Sequence, residues 1–194
     1  VTRTQGDTTI TVAGDDGVNN TLHNATDGSS AVNAIIQPFS IDVADDGTVY
    51  FTEPYKYRVM KVGTDGILYT VAGNGQAGNV DDSVNDATQT VFNTPNFIKI
   101  GPDGLLYIID GKPQGSSLIR RINADGSTSK IAGTNENDAY NIDNGITEGI
   151  QADQQPLPAI YINDTLAPNS ISFDSQGLLY IQTSASVLRI DADS

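Results

Sequence analysis

The sequence predicts an all-β protein made of repeated, four-stranded antiparallel sheets, and three observations carry this prediction. First, one phrase occurs three times in the 194 residues, as ITVAG at 10–14, YTVAG at 69–73 and the shorter KIAG at 130–133. Its closing glycines, Gly14, Gly73 and Gly133, lie 59 and then 60 residues apart. Second, the segments between these phrases also repeat. Third, no long window keeps the 3.6-residue apolar period of a helix, so the repeat is one of strands and turns.

Each repeat begins with a proline and a short strand. These first strands follow Pro38, Pro95 and Pro168, and their apolar residues share one face: Ile41 and Val43, Ile98 and Ile100, Ile171 and Phe173. A tight turn follows in which glycine takes a positive φ without steric cost, at Asp46-Gly47, Asp103-Gly104 and Gln176-Gly177. The second strands are then predicted at 49–53, 106–110 and 179–183.

The third strands are predicted at 57–62, 118–122 and 186–190. A second Asp-Gly turn, at Asp65-Gly66 and Asp125-Gly126, leads into the strand that carries the repeated phrase. Two residue types recur at equivalent positions: Tyr50, Tyr107 and Tyr180 in the second strands, and Lys61, Arg121 and Arg189 in the third. We interpret both sets as structural, because tyrosine packs between sheets and a long basic side chain covers apolar surface while its charge stays in water.

A repeated four-stranded meander buries both of its faces only if the sheets stack radially, as the blades of a β-propeller. The predicted units are a last strand of a preceding blade at 7–14, blades at 38–73 and 95–133, and an incomplete blade at 168–194. These strands amount to about three blades, whereas a closed propeller needs about four or more. We therefore expect the remaining blades to come from the same longer chain or from a second copy.

The repeated text resembles a known family. Pro-x-x-Ile-x-Val-x-x-Asp-Gly-x-Val-Tyr, then Arg-Val-x-Lys-Val-x-x-Asp-Gly and Tyr-Thr-Val-Ala-Gly, is similar to the NHL repeat over residues 7–193. The third repeat departs from it at Gln176-Gly177 and at Thr183, where the others have Glu53 and Asp110. The long Gly/Asp-rich connections resemble NHL segments of large secreted bacterial proteins of the Rhs and teneurin-like type. The resemblance implies a six-bladed propeller, usually a platform for protein, glycan or nucleic-acid contacts and only sometimes an enzyme.

The long connections between the blades are strongly acidic. They run from Gly14 to Pro38, Gly73 to Pro95 and Gly133 to Pro168, and should emerge on the same side as the second-to-third strand connection. They hold no Lys or Arg and twelve acids: Asp15, Asp16, Asp27, Asp81, Asp82, Asp86, Glu136, Asp138, Asp143, Glu148, Asp153 and Asp164. Two interpretations stay open, a face that attracts a basic partner or a hard cation and a face that only keeps the surface solvated.

Within these connections, two segments have some of the oxygen ligands that calcium prefers. One contains Asp81, Asp82 and Asp86, and the other contains Asp143 and Glu148. A calcium loop alternates its ligands around a glycine turn and ends in a bidentate acid, and neither segment matches that register. We therefore expect no cofactor, or a structural Ca²⁺ at these five residues if a metal is bound.

An enzymatic alternative requires a different set of residues. Propellers of the lyase type are implied by the family resemblance to need several metal-binding and catalytic side chains, histidine among them, and His23 is the only histidine. Propellers of the lactonase type hold a divalent ion at the channel, for which the conceivable ligands here are Asp42, Glu53, Asn96, Asp110 and Asn169. Asp42 aligns with Lys99 and Ser172, so no ring of ligands repeats. A single histidine supports no Ser-His-Asp set, and no phosphate-binding loop is present.

From the sequence we expect a binding or structural module that is not an enzyme and presents its acidic long-loop face to a protein or glycan. The alternative is a lactonase- or lyase-like propeller using a divalent metal. We expect a secreted or cell-surface location. The 24 acids against 10 bases give a formal charge of −14, which disfavours nucleic acid. The sequence contains no run of about 18 apolar residues, so it does not predict membrane insertion. The lack of cysteine excludes disulfides and thiolate metal sites.

Overall fold

The computed structural model describes residues 1–5, 8–14, 23–78, 84–111, 117–133, 170–182 and 187–190. The strands in these ranges are β1 (Thr2–Gln5), β2 (Thr8–Thr11), β3 (His23–Asn24), β4 (Ala34–Ile35), β5 (Ile41–Val43), β6 (Val49–Glu53), β7 (Arg58–Val62), β8 (Leu68–Ala72), β9 (Pro95–Ile100), β10 (Leu106–Asp110), β11 (Leu118–Ile122), β12 (Thr128–Ala132), β13 (Ser170–Phe173), β14 (Leu179–Gln182) and β15 (Val187–Ile190). Two 3₁₀ helices, Pro54–Lys56 and Ala87–Gln89, are the only helical segments in these ranges.

The predicted all-β propeller fold is confirmed. Strands β5 to β8 form one four-stranded antiparallel sheet, here blade A, and β9 to β12 form a second, blade B. Strands β13 to β15 form the described part of blade C. Every strand predicted from the repeat is present, with ends shifted by at most about three residues. The connection before blade B contains the 3₁₀ helix Ala87–Gln89, whereas the connection before blade A contains β4 and a left-handed Asn33.

The chain also begins with a hairpin that the repeat does not predict in full. β1 pairs antiparallel with β2, from Thr2 opposite Thr11 to Gln5 opposite Thr8. Residues 7–14, expected as a last strand of a preceding blade, thus have their strand partner in residues 2–5, and β2 pairs with none of the other described strands.

The repeated glycine has a steric cause. The ladder between β7 and β8 shifts register after Val59, and the chain leaves β8 through Gly73 with φ at +96°. A Cβ at Gly73 would collide with the backbone oxygen of Tyr57, and one at Gly133, whose φ is +93°, would collide with that of Ser117. Only glycine fits a position that combines a positive φ with so close a backbone approach.

Apolar cores lie between successive sheets. One core joins blade A to blade B through Val59, Ile98 and Ile108, and another joins blade B to blade C through Ile109, Ile119 and Ile181. The first strands of successive blades are neighbours, since β5 contacts β9 and β9 contacts β13. Radially stacked sheets converge at the axis, so β5, β9 and β13 are the inner strands.

Each described connection links the outer parts of two blades through one alanine. The N–H of Gly14 donates to the carbonyl of Ala31 at 3.0 Å, and the N–H of Ala31 donates to Gly66 at 2.8 Å. In the next connection, Gly73 donates to Ala87 at 2.9 Å and Ala87 donates to Gly126 at 2.7 Å. The connection thus runs from the fourth strand of one sheet to the outer turn of the next.

Candidate functional site

Glu53 closes the second strand of blade A on the side of the long connections. Its carboxylate is fully buried and accepts the N–H of Gln37 at 2.7 Å. It also pairs with Lys56 at 2.8 Å and with Arg58 at 2.6 Å. Gln37 ends the long connection and Lys56 lies between the second and third strands, so both connections meet at this carboxylate. We call this end of the blades the long-loop face.

Asp110 occupies the same position in blade B. Its Oδ1 accepts the N–H groups of Asn93 and Thr94, each at 2.9 Å, and its Oδ2 accepts Arg120 Nε at 3.1 Å. Both charged side chains are about 1 % exposed. Burial raises the pKa of Asp110, while the charge of Arg120 and the backbone N–H groups act in the opposite direction. The two equivalent acids thus fasten the arriving connection to the sheet in both blades.

Asp42 lies on the inner strand β5 and reaches across to β9. Its Oδ2 atom accepts Lys99 Nζ at 3.0 Å and the N–H of Ile100 at 2.8 Å. Ser40, two residues earlier, accepts the N–H of Ile98 at 3.3 Å through its Oγ atom. These two side chains bind N–H groups at the edge of β9, and Lys99 compensates the charge of Asp42.

Asn96, near the start of β9, is one of two described residues with a buried side-chain oxygen that lacks a hydrogen-bond partner. It is 2 % exposed, and its Oδ1 atom has no hydrogen-bond partner. Its backbone carbonyl accepts Thr52 Oγ1 at 2.8 Å, which places it at the junction of blades A and B. A buried polar atom without a partner costs about 1–3 kcal/mol, so each such atom needs an explanation in backbone strain, a bound water or ion, or a functional role.

An aromatic pair adjoins this amide. Phe97, the next residue, meets Phe39 edge to face at 5.5 Å between ring centroids. Phe39 belongs to the segment that enters β5 and is 52 % exposed. The long-loop end of the two inner strands thus combines apolar ring surface with one unpartnered amide oxygen.

The structure brings few of the predicted metal ligands together. Asp86 caps the second 3₁₀ helix, accepting Thr88 N at 2.9 Å and Thr88 Oγ1 at 2.7 Å, which lowers the pKa of Asp86. Asp81, Asp82, Asp143 and Glu148 lie outside the described residues. Among the residues that are described, no three acids or histidines form a group that could hold a metal ion.

The residues considered as ligands of a metal ion at the channel do not form such a site either, as far as the structure describes them. Asp42, Glu53 and Asp110 are each paired with a base. Asn96 keeps a free oxygen, and Asn169 lies outside the described ranges. His23 belongs to β3, which pairs parallel with β4. Asp42, Glu53 and Asp110 therefore do not fit a channel metal centre, because a cation would compete with a lysine or arginine for each of these three carboxylates.

Two further features were missed by the sequence analysis. The Oδ1 atom of Asn33 is also buried without a partner, at a left-handed φ of 67°. Asp27, one of the acids of the first connection, accepts Thr70 N and Thr70 Oγ1, each at 2.7 Å. It covers the outer edge of β8 and so has a structural use.

No described helix has the length and apolarity needed to cross a membrane.

No protein-family model matches the chain, and no curated protein matches it at a significant level. Several solved structures, however, are similar to the chain. A Bacteroides thetaiotaomicron protein of unknown function is 20 % identical with a TM-score of 0.52, over 74 % of this chain and 32 % of its own. A streptogramin B lyase is 19 % identical, TM-score 0.46, over 79 % and 37 %. A virginiamycin B lyase from Staphylococcus aureus, in a catalytically inactive form with quinupristin, is 16 % identical, TM-score 0.46, over 89 % and 41 %.

The chain spans about a third to two fifths of the length of these structures. At these identities the likeness shows the fold alone. The expectation that the chain is not an enzyme is wrong as a conclusion from the sequence, because solved structures of this fold include lyases, although the likeness assigns no activity to this chain. That expectation rested on the lack of a Ser-His-Asp triad and on His23 being the only histidine, and these criteria apply to only one kind of active site.

Proposed function

We propose that the chain is part of a propeller enzyme whose substrate site lies at the long-loop end of the inner strands β5 and β9. The observation that carries the proposal is the buried Oδ1 atom of Asn96, which has no partner. A fold selected for stability alone gains by placing an apolar side chain there, whereas a site that binds a polar group gains by keeping the amide.

The surroundings of Asn96 suit a ligand that is partly apolar. Phe39 and Phe97, the residue that follows Asn96, form an edge-to-face pair at the same end of the inner strands, and binding sites commonly combine aromatic walls with a few polar groups. Asn96 Oδ1 would accept a hydrogen bond from an N–H or O–H of the substrate. Since the nearby acids are paired with bases, we route no step of the reaction through a metal.

The test compares two asparagine variants. Each variant removes a buried, unpartnered Oδ1 atom: Asn96→Leu at the proposed site and Asn33→Gly away from it, where glycine accepts the left-handed φ. The probes are quinupristin, for elimination, and glucono-δ-lactone, for lactone hydrolysis. We expect one probe to be bound or turned over by the parent chain and by Asn33→Gly, and neither by Asn96→Leu.

Stability separates this outcome from a simple loss of folding. Asn96→Leu should leave the thermal midpoint unchanged or higher, because it removes an unsatisfied polar group. If Asn96→Leu loses stability instead, the amide has a structural role. If the parent chain neither binds nor converts either probe, this site is not of the proposed class.

The finer expectations from the sequence remain proposals. They are the NHL type of the repeat with its Rhs or teneurin-like setting, a secreted or cell-surface location, a protein or glycan that contacts the acidic long-loop face, and a structural Ca²⁺. For calcium, millimolar Ca²⁺ should raise the midpoint and EDTA should lower it, since a ligand that binds only the native state stabilises it. Asp143→Asn with Glu148→Gln should remove that response, and no response in the parent chain would contradict the site.

A further inference from the structure

The inner strand of blade A has an apolar stripe that faces solvent. Phe39, Ile41 and Val43 are 52, 50 and 52 % exposed. At the equivalent position of blade B, Ile98 is only 5 % exposed, and it packs with Ile100 against residues of blade A such as Val59. The stripe is therefore the part of a blade that normally lies against the blade before it.

The outer part of the same face of blade A is covered. Phe51, Met60 and Leu68 are fully buried and belong to a core that includes Val12 and Ala13 of the first hairpin segment. That hairpin stands where the third and fourth strands of a blade stand. Gly14 ends it with a positive φ and donates to Ala31, as Gly73 ends β8 and donates to Ala87. Within the described residues, the two inner strand positions of this blade are empty.

We propose that the stripe of Phe39, Ile41 and Val43 binds an antiparallel β-hairpin that supplies the two inner strands of a further blade. Continuity with the existing interface supports this occupant, because the first hairpin and blade A already share the outer half of it. In the part of the chain that is described, β1 pairs only with β2, so its other edge faces the place where the hairpin would lie. Edge pairing would add main-chain hydrogen bonds to the apolar contact.

The junction of blades A and B specifies the chemistry of this partner. There, Ser40 Oγ and Asp42 Oδ2 on the inner strand accept the N–H groups of Ile98 and Ile100. The equivalent N–H of Val43 is bound instead by Asp42 Oδ1 of its own strand, at 3.0 Å. The partner strand should therefore carry hydroxyl or carboxylate acceptors two residues apart, and its second strand should carry an aromatic residue where blade A has Tyr50.

The chain's own segment 38–53 has all these features, so it can serve as the probe. It contains Ser40, Asp42 and Tyr50, and it forms the inner hairpin of blade A. A free hairpin is only marginally stable in water. Joining it to the chain raises its effective concentration and avoids that loss.

A second copy of the chain fits the empty positions less well. It would bring the three strands β13 to β15, and β15 would need the third position, which β1 already holds. A second copy would bury Val187, which is 68 % exposed on β15, so this residue can be used to detect such a copy. Val187 corresponds to the fully buried Val59, because Tyr180 faces Arg189 as Tyr50 faces Lys61.

The experiment adds a duplicate of residues 38–57 ahead of Val1. This duplicate contains the hairpin 38–53 and the connection to the third strand, so that the duplicated hairpin leads directly into β1. We expect the thermal midpoint to rise by on the order of 5 °C, and amide exchange at Ile41 and Val43 to slow by at least about tenfold. Ile41→Ser with Val43→Ser at the original positions should abolish both gains. Val187→Ser, at an exposed apolar position on blade C, should keep them.

Two results would overturn the proposal. One is an extended chain whose midpoint and exchange rates equal those of the parent. The other is a parent chain that is dimeric by light scattering and becomes monomeric in both Val43→Ser and Val187→Ser, because the occupant would then be a second copy.

Discussion

Asp110 and Arg120 form an ion pair that is almost completely removed from water, with 3.1 Å between Oδ2 and Nε. The pair joins the second and third strands of blade B, and Asp110 also holds two N–H groups of the incoming connection. Glu53 and Arg58 repeat the arrangement in blade A, but Arg58 remains 17 % exposed. The equivalent ion pair is thus almost fully removed from water in blade B and partly hydrated in blade A.

Asp110→Ala should destabilise the chain by about 3–5 kcal/mol, because the buried charge of Arg120 is left without its partner. Glu53→Ala should cost less, since Lys56 and Arg58 can reach water. The free energy of unfolding from urea titrations measures both effects. The double change Asp110→Leu with Arg120→Leu should recover only the part of the loss that comes from the ion pair, because the N–H groups of Asn93 and Thr94 still lose their acceptor. An Asp110→Ala variant as stable as the parent would show that the pair contributes nothing.

The aspartates of the Asp-Gly turns should make the stability of the protein sensitive to acid. Backbone and hydroxyl hydrogen bonds from Thr48 lower the pKa of Asp46, and those from Ser127 lower the pKa of Asp125. The unfolded chain then binds protons at a higher pH than the native one. The stabilisation is present above the ordinary value of 3.8 and is lost as the pH falls through the lowered pKa values.

We therefore expect the free energy of unfolding to fall as the pH drops below the ordinary value of 3.8. Asp46→Asn keeps an acceptor for Thr48 but does not titrate, so its fall over this range should be smaller. The raised pKa of Asp110 acts in the opposite direction, because protonation of that group favours the native state. Urea titrations at several pH values measure the slope, and an Asp46→Asn slope equal to that of the parent would rule out this contribution.

Gly73 tests the steric account of the repeat. Gly73→Ala should cost at least about 3 kcal/mol or prevent folding, because it adds a backbone collision to a strained φ. Gly66→Ala is the matched control, since Gly66 also has a positive φ of 75° but nothing lies within 4 Å of its Cβ. The control should cost about 1–2 kcal/mol, the price of the left-handed conformation alone. Equal thermal midpoints for the two variants would argue against the collision.

The sequence predicted the blades because the repeat encodes them locally. Asp-Gly turns act within a few residues of chain and the closing glycines act within a single blade, and strand order follows from them. The site depends on contacts that local patterns do not contain. Lys99 pairs with Asp42 from another blade, although alignment of the repeats had only shown that the two residues differ. The partner of β2 was missed because residues 2–5 carry no recognisable repeat text.

Thr52 connects the two inner strands and provides the last test. Its Oγ1 atom accepts the N–H of Ser40 at 3.2 Å and donates to the carbonyl of Asn96 at 2.8 Å, and the side chain is fully buried. Thr52→Val has nearly the same shape but removes the hydrogen bonds of the hydroxyl to both backbone groups, so it should cost about 1–3 kcal/mol.

Thr52→Ser keeps the hydroxyl and should lose only the contribution of one buried methyl group, about 1 kcal/mol. Because Asn96 is held by this hydroxyl, Thr52→Val should also speed amide exchange at the start of β9 more than Thr52→Ser does. Urea titration and hydrogen exchange give the two readouts. If valine proves as stable as threonine, with the same exchange, then packing between blades A and B positions Asn96 without help from this hydroxyl.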